Sequence, residues 1–422
     1  MMKKIAVGLL PLMMAGTSMA DVLSIDIEVQ EKKVPVIFYN ENGSSNYNND
    51  MFNKIQTNIF KTKKADILKS NGDTCINNAK NKRTGLYCVH LKTNTNTYPE
   101  NTTDVVIESV GFAGQNNYTQ KFSFGNNKDA FYNASNQVSD FVYKTIFNQN
   151  SYFNSKLAYV KSARTNNGII YNLATSNIDG SNEQVYLTSK APILSIDWSP
   201  DNSKLAYVSY EKVRSGIFIH DLKTGARTQV TNYKGINGFP SWNPNGKSIV
   251  MSLSKDGSSD IYIYELSTKM LFKITNDRNA DETEPTWLNS EEIVYTSNKT
   301  GNPNLYKYNI ISKKTSLLQT QYGYVTTPKV SKDGSFVVAT FKNGSNYGLI
   351  KINDNKKVSL ITKDYFGESP TVSANNKLIM YSTKVKTANG TTNGLKAVDL
   401  EGTELFTIGS NVSSIKEPAL SN

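Results

Sequence analysis

Histidine and cysteine are nearly missing from this chain, two of each in 422 residues, and that scarcity removes most ways of building a catalytic centre. A serine hydrolase needs a G-x-S-x-G elbow and a histidine; no such elbow occurs, and only His90 and His220 exist. Neither stands at ligand spacing from a cysteine or from the other histidine, which excludes a zinc site of ordinary pattern. The two cysteines do not form a C-x-x-C pair, so a redox motif is absent. Sialidase-type turns, S-x-D-x-G-x-x-W, are absent too, since the Asp333-Gly334 turn lacks that spacing. The formal charge of +11 is not gathered into any Lys/Arg-rich run, which argues against nucleic acid as a partner. Apolar runs long enough to cross a bilayer, about 20 residues, are missing as well. Composition thus predicts no catalytic residue, no metal and no cofactor.

What is present begins with an export signal. Lys3 and Lys4 precede an apolar stretch from Ile5 to Leu12, and Ser18-Met19-Ala20 supplies the small residues that a signal peptidase requires. Residues 1–20 are therefore predicted to be a signal peptide, with cleavage before Asp21. In an oxidising compartment Cys75 and Cys88 are expected to form one disulfide, a structural staple. The excess of basic over acidic residues is +1 from Asp21 to Asn150 and +8 from Ser151 to Asn422. That imbalance, with a length too great for one core, predicts two domains, 21–150 and 151–422.

The second domain repeats. Ile193 to Trp198, Lys204 to Tyr210, Ile217 to Leu222 and Thr228 to Thr231 read as four strands, with turns at Ser199-Pro200-Asp201-Asn202 and Lys223-Thr224-Gly225. The cassette returns at Phe239-Pro240-Ser241-Trp242 and Glu284-Pro285-Thr286-Trp287, and more faintly at Thr327-Pro328-Lys329-Val330 and Ser369-Pro370-Thr371-Val372. Its reference positions Trp198, Trp242, Trp287, Val330 and Val372 lie 44, 45, 43 and 42 residues apart. Four strands per forty-odd residues is the spacing of propeller blades, because one such sheet cannot bury both faces without neighbours. Second strands at Lys156 to Val160, Lys204 to Tyr210, Ser248 to Leu253, Ile293 to Ser297, Phe336 to Thr340 and Leu378 to Ser382 count six blades. The first lacks an inner strand, and Glu417-Pro418-Ala419-Leu420-Ser421-Asn422 repeats the missing form, so the C-terminal strand is predicted to close the ring.

The first domain reads as α/β. Val22 to Val29, Val34 to Tyr39, Leu86 to His90 and Asp104 to Ser109 look like strands, and Gln115 to Tyr118 with Phe122 to Asn127 like a hairpin. Phe52, Ile55 and Ile59, after Asn49 or Asp50 as a cap, and Phe131, Ala134, Val138, Phe141 and Thr145 up to Phe147, recur at helical steps.

Residues at the starts of the inner strands of a propeller crowd one mouth of its channel. Asn237, Gly238, Phe239, Thr283, Glu284, Thr326, Thr327, Glu368, Ser369 and Glu417 occupy those positions and are expected to face outward as a docking ring, an aromatic anchor within a polar rim. The carboxylates Asp277, Asp281, Glu282 and Glu284 are read as a solvated run. His220 is expected to pack between blades and His90 to serve structure. The rival reading is a propeller hydrolase or lactonase with metal ligands in the channel.

The Trp-Ser-Pro-Asp, Trp-Asn-Pro-Asn-Gly and Glu-Pro-Thr-Trp cassettes, preceded by an export signal and an α/β domain, resemble the TolB family of the Tol-Pal system. The likeness is strongest from Tyr152 to Ile310. It implies a non-enzymatic periplasmic protein, expected to be a monomer, held peripherally at the outer membrane through the lipoprotein Pal. Carried over by position, Ile236, Asn237, Gly238, Phe239, Thr283, Glu284 and Glu368 would contact Pal. Asp21, Val22, Leu23, Ser24 and Ile25 would contact the inner-membrane protein TolA by strand addition. The sequence departs from the family in its last three inner strands, which lack Trp, and in Asp66 to Asn71, which only partly matches a helix-end pattern.

Overall fold

A computed structural model describes residues 33–421 except 42–45, 71–73, 83–84, 96–99, 113, 213, 319–320, 345 and 364–366. The predicted signal peptide, the stretch Asp21 to Ile25 and the strand read at Val22 to Val29 lie outside the described residues.

The chain opens with strand β1 (Val34–Asn40), helix α1 (Asn46–Lys61), strand β2 (Ala65–Leu68), helix α2 (Cys75–Lys82), strands β3 (Leu86–Asn94), β4 (Asn101–Phe112) and β5 (Gly114–Phe124), and helix α3 (Lys128–Phe147). One five-stranded sheet results, in the order β2-β1-β3-β4-β5. β1 runs parallel to β2 and β3, and β3, β4 and β5 form an antiparallel meander. Alternation along β1 sends Val36 and Phe38 to the face covered by α1 and α3 and Ile37 to the other. There α2 is stapled to β3 by Cys75–Cys88, with Cα atoms 6.0 Å apart, over Ala79 and Leu86.

Four local readings change. α1 starts at Asn46, so Asn49 and Asp50 lie within it; the Asn49 side chain accepts a hydrogen bond from Asn40 at 2.9 Å. Met51, Ile55 and Ile59 form its buried stripe, while Phe52 is half-buried and edge-on to Phe38. The segment at Asp66, read only as a partial match to a helix-end pattern, is strand β2, paired to β1 from Val34↔Ala65. The hairpin read between Gln115 and Asn127 is the single strand β5, because β4 offers it a partner along its length and Phe122 and Phe124 continue one buried face. Helix α2 was not anticipated; with about two turns of mostly Asn and Lys it shows no apolar period, and the disulfide rather than propensity fixes it. Helix α3 holds the periodic residues Phe131 to Thr145, is capped at its start by Asn127, which accepts from the Ala130 amide at 2.8 Å, and ends on Asn148 in the left-handed region.

Six four-stranded sheets follow, from Lys156 to Leu420. The first blade is closed by Ser414–Leu420, which pairs antiparallel with Lys156–Thr165 from Ser414↔Ser162 to Leu420↔Leu157. Two further bonds clamp that seam: Ser421 amide to Lys156 carbonyl and Lys156 amide to Ser421 Oγ, both 2.9 Å. Blades stack through their aromatic and branched side chains; the Trp198 indole donates to the Ala419 carbonyl of the first blade at 2.9 Å.

The α/β part sits at the end of the ring where the inner strands finish, over the seam between the sixth and first blades. Tyr152, Phe153, Leu378, Phe406 and Leu420 join one apolar core with Met51, Ile55 and Val138. Around it Lys54 pairs with Asp179, Lys61 lies 5.1 Å from the Phe406 ring centre, and Asn182 donates to Asp129 at 2.7 Å. Asp140 of α3 accepts hydrogen bonds from Ser151 and Asn154, tying the helix to the strand-free link that enters the propeller. Burial raises its carboxyl to about 7, against the lowering effect of the Phe153 amide.

Candidate docking mouth and channel

The free end of the channel carries a six-fold feature. Every inner strand shifts register once against its neighbour, a β-bulge, at the same place in each blade. The extra residue is Ser195, Phe239, Glu284, Thr327, Ser369 or Glu417, and each has φ between 48° and 57°. None is glycine, so each holds a left-handed conformation that costs a non-glycine residue about 1–2 kcal/mol. In five blades proline follows, Pro240, Pro285, Pro328, Pro370 and Pro418; Ile196 takes that place in the second. These residues line a cavity of about 100 Å³. The same strained position recurs in every blade and gathers six such residues at one end of the channel.

Two of the six bulge residues reach across to the following blade. Glu284 Oε2 accepts from the Thr327 amide at 2.8 Å and from the Thr296 hydroxyl at 2.7 Å. Glu417 Oε2 accepts from the Ser195 amide at 2.9 Å. Enclosure by the walls raises both carboxyls, partly offset by those amides. One layer deeper, Lys329 of the fifth blade meets Asp197 of the second at 2.7 Å, an ion pair that spans the channel. The other Asp197 oxygen accepts from the Trp242 amide at 2.8 Å. Toward the far end the Lys332 ammonium reaches the Leu420 carbonyl at 3.4 Å, and the surrounding protein pushes it down to about 8.

The expected docking residues divide. Phe239, Glu284, Thr327, Ser369 and Glu417 line the cavity together, Thr283 and Thr326 are half-buried at the same strand starts, and Glu368 is exposed beside them. Ile236 is 48% exposed. Asn237 does not face outward: it is fully buried, and its side chain bonds the Tyr233 amide, the Tyr233 carbonyl and the Gly235 carbonyl at 3.0, 2.8 and 3.2 Å. Its role is to brace the loop that presents Ile236. Gly238 is buried as well. Exposed Tyr210 and Tyr233 extend the rim on this side, a pair the repeat pattern did not single out because loops carry no periodic signal.

The carboxylate run is not solvated throughout. Glu282 is 2% exposed, packed where the third and fourth blades meet, and burial raises its carboxyl. Asp281 accepts from the Ser259 amide at 3.0 Å. Among the described residues no group of three His, Cys, Asp or Glu could hold a metal ion. His220 is buried edge-on to Tyr186, with ring centres 5.9 Å apart. His90 stacks on Tyr39 and lies 2.6 Å from Glu41. Neither approaches the mouth. Among the described residues no helix is long and apolar enough to cross a membrane.

The family described as TolB beta propeller domain matches residues 143–422. A Tol-Pal system protein TolB from Nitrosococcus oceani is 41% identical over 102 residues, 24% of each chain. Its counterpart from Coxiella burnetii is 35% identical over 136 residues, 32% of this chain and 31% of that one. The matched stretch thus spans only a quarter to a third of the length of these curated relatives. The crystal structure of TolB from Acinetobacter baumannii superposes with a TM-score of 0.78 at 23% identity, covering 92% of this chain and 97% of that one, a likeness of fold.

Proposed function

The chain belongs to the TolB β-propeller family, and on that premise we propose that it is a non-enzymatic periplasmic component of the Tol-Pal system that works by binding other proteins. Its propeller mouth docks the outer-membrane lipoprotein Pal, through Ile236, Phe239, Thr283, Glu284 and Glu368 around the cavity. Asp21 to Ile25 at the start of the mature chain engages TolA of the inner membrane by adding a strand to a sheet edge. The link between the two membranes supports constriction of the outer membrane during division and the integrity of the envelope.

The observation that carries this reading is the ring of six bulged residues in the left-handed region around an accessible mouth. Such strain needs a return, and a half-buried Phe239 amid threonines and carboxylates suits a protein surface better than a reaction. Capture from solubilised envelopes tests it. Wild type should bring down the lipoprotein, and Glu284→Lys should lose it while still unfolding in one cooperative transition, at a lower temperature because the Thr327 amide loses its acceptor. A form lacking residues 21–25 should keep the lipoprotein and lose TolA. Equal capture by wild type and Glu284→Lys would reject the mouth as the docking site.

A further inference from the structure

The mouth carries a charge that the rest of the propeller does not. From Ser151 to Asn422 basic residues exceed acidic ones by eight, yet the ionisable groups lining the cavity are Glu284, Glu417 and Lys329. Lys329 is already matched by Asp197 at 2.7 Å, so the two glutamates remain. They stand on the inner strands of the fourth and first blades, three blades apart in a ring of six, and therefore oppose each other across the opening. Glu368 and Lys416, the charged neighbours acting on Glu417, are of opposite sign and pull its carboxyl in opposite directions.

Each glutamate commits one oxygen, Oε2, to the amide of the next blade's bulge residue, which leaves Oε1 for a ligand. The walls between them are largely apolar, five prolines, Ile196 and Phe239, interspersed with serine and threonine. A cavity of about 100 Å³ holds roughly three waters' volume at about 30 Å³ each, enough for the end of one side chain.

We infer that the mouth is a subsite for a single cationic side chain, lysine or arginine, projecting from the docked protein. Its methylene stem packs on the proline walls and its head lies between the Glu284 and Glu417 carboxylates. Paired in this way, the enclosed carboxylates recover the attraction that enclosure took from them in water, and their raised protonation points fit groups awaiting a cation. An inorganic cation is a poorer occupant, since two carboxylates set in proline walls offer few of the six to eight oxygens that calcium gathers. The assignment of that side chain to a docked protein rests on the function proposed above; the subsite itself does not.

n-Butylammonium and n-butylguanidinium, titrated into the full mature chain, probe it directly, with the amide resonances of Thr327 and Ser195 as the readout because Glu284 and Glu417 hold those two N–H groups. Saturable shifts of both amides are expected, with 1-butanol and butyrate giving none. Glu284→Gln/Glu417→Gln, which keeps an acceptor on each side chain and removes the charge, should weaken the cations at least about tenfold, or 1.4 kcal/mol, at an unchanged melting temperature. Unmoved amides, equal response to 1-butanol, equal affinity of the double variant, or saturation by calcium alone would each overturn the subsite. Pal capture by the same proteins separates the two ideas. Capture by wild type with undiminished capture by the double variant overturns the cationic anchor and leaves the docking face standing. Cation binding without any capture of Pal overturns the docking face and leaves the subsite.

Discussion

Asp197 and Lys329 meet at 2.7 Å although 132 residues separate them. That separation is three repeat periods of about 44 residues, half a turn of a six-bladed ring, so the pair joins opposite walls of the channel just beneath the mouth. Both side chains are mostly withdrawn from solvent, at 15% and 24% exposure. Removing one charge strands the other. Asp197→Asn or Lys329→Met alone should therefore destabilise by about 3 kcal/mol, and the double variant should recover most of that loss. Urea unfolding of all four proteins checks it; independent, additive losses would show that the two charges do not act as a pair.

The closing strand should matter more than its length suggests. Truncation before Lys416 removes the pairs Ala419↔Ala158 and Leu420↔Leu157 and the acceptor of the Trp198 indole. It also exposes a long inner edge of Lys156–Thr165 and opens the core shared with α3. The truncated chain is expected to melt well below the intact one and to aggregate on purification, whereas loss of Asn422 alone should be silent.

The disulfide carries α2. Cys75 and Cys88 close a loop with a sequence separation of 13, for which chain entropy allows about 3 kcal/mol. Cys75→Ser/Cys88→Ser should lower the stability of the α/β part by that order. Protection of the α2 amides from hydrogen exchange should fall first, with the blades unaffected.

Asp140 makes the junction sensitive to pH. Its folded carboxyl is raised to about 7, above the unfolded value near 3.9, so the folded chain holds this proton where the unfolded chain has released it. The contribution to stability is complete below about pH 4 and declines as pH rises towards 7. Asp140→Asn, uncharged throughout, should flatten that decline. Melting temperatures of both proteins between pH 4 and pH 8 decide it, and parallel curves would remove Asp140 as the source.

His90 and His220 should prove dispensable for binding. His220→Phe is expected to leave partner capture intact and to cost about 1–3 kcal/mol of stability, because a larger ring must fit a buried aromatic contact. Loss of capture with a normal melt would require a role that its burial does not suggest.

The blades were legible in the chain because a propeller repeats its chemistry as well as its shape. Trp198, Trp242 and Trp287 recur with their turns, and the form Glu417-Pro418 betrayed the closing strand. Position within the repeat also located Phe239, Glu284 and Glu417 at the mouth. The burial of Asn237 was not legible, because a buried asparagine and an exposed one look alike until the loop that encloses it is known. Nor was the strand β2, which is only four residues long and exists because β1 offers it an edge.

By itself, then, the order of residues determined which segments pair locally and how many blades there are, since hydrophobic period, turn chemistry and repeat length act over a few residues at a time. Which charges oppose one another was decided by the ring. Asp197 with Lys329 and Glu284 opposite Glu417 are distant along the chain, and only closure through Ser414–Leu420 sets the diameter and angle that bring them face to face.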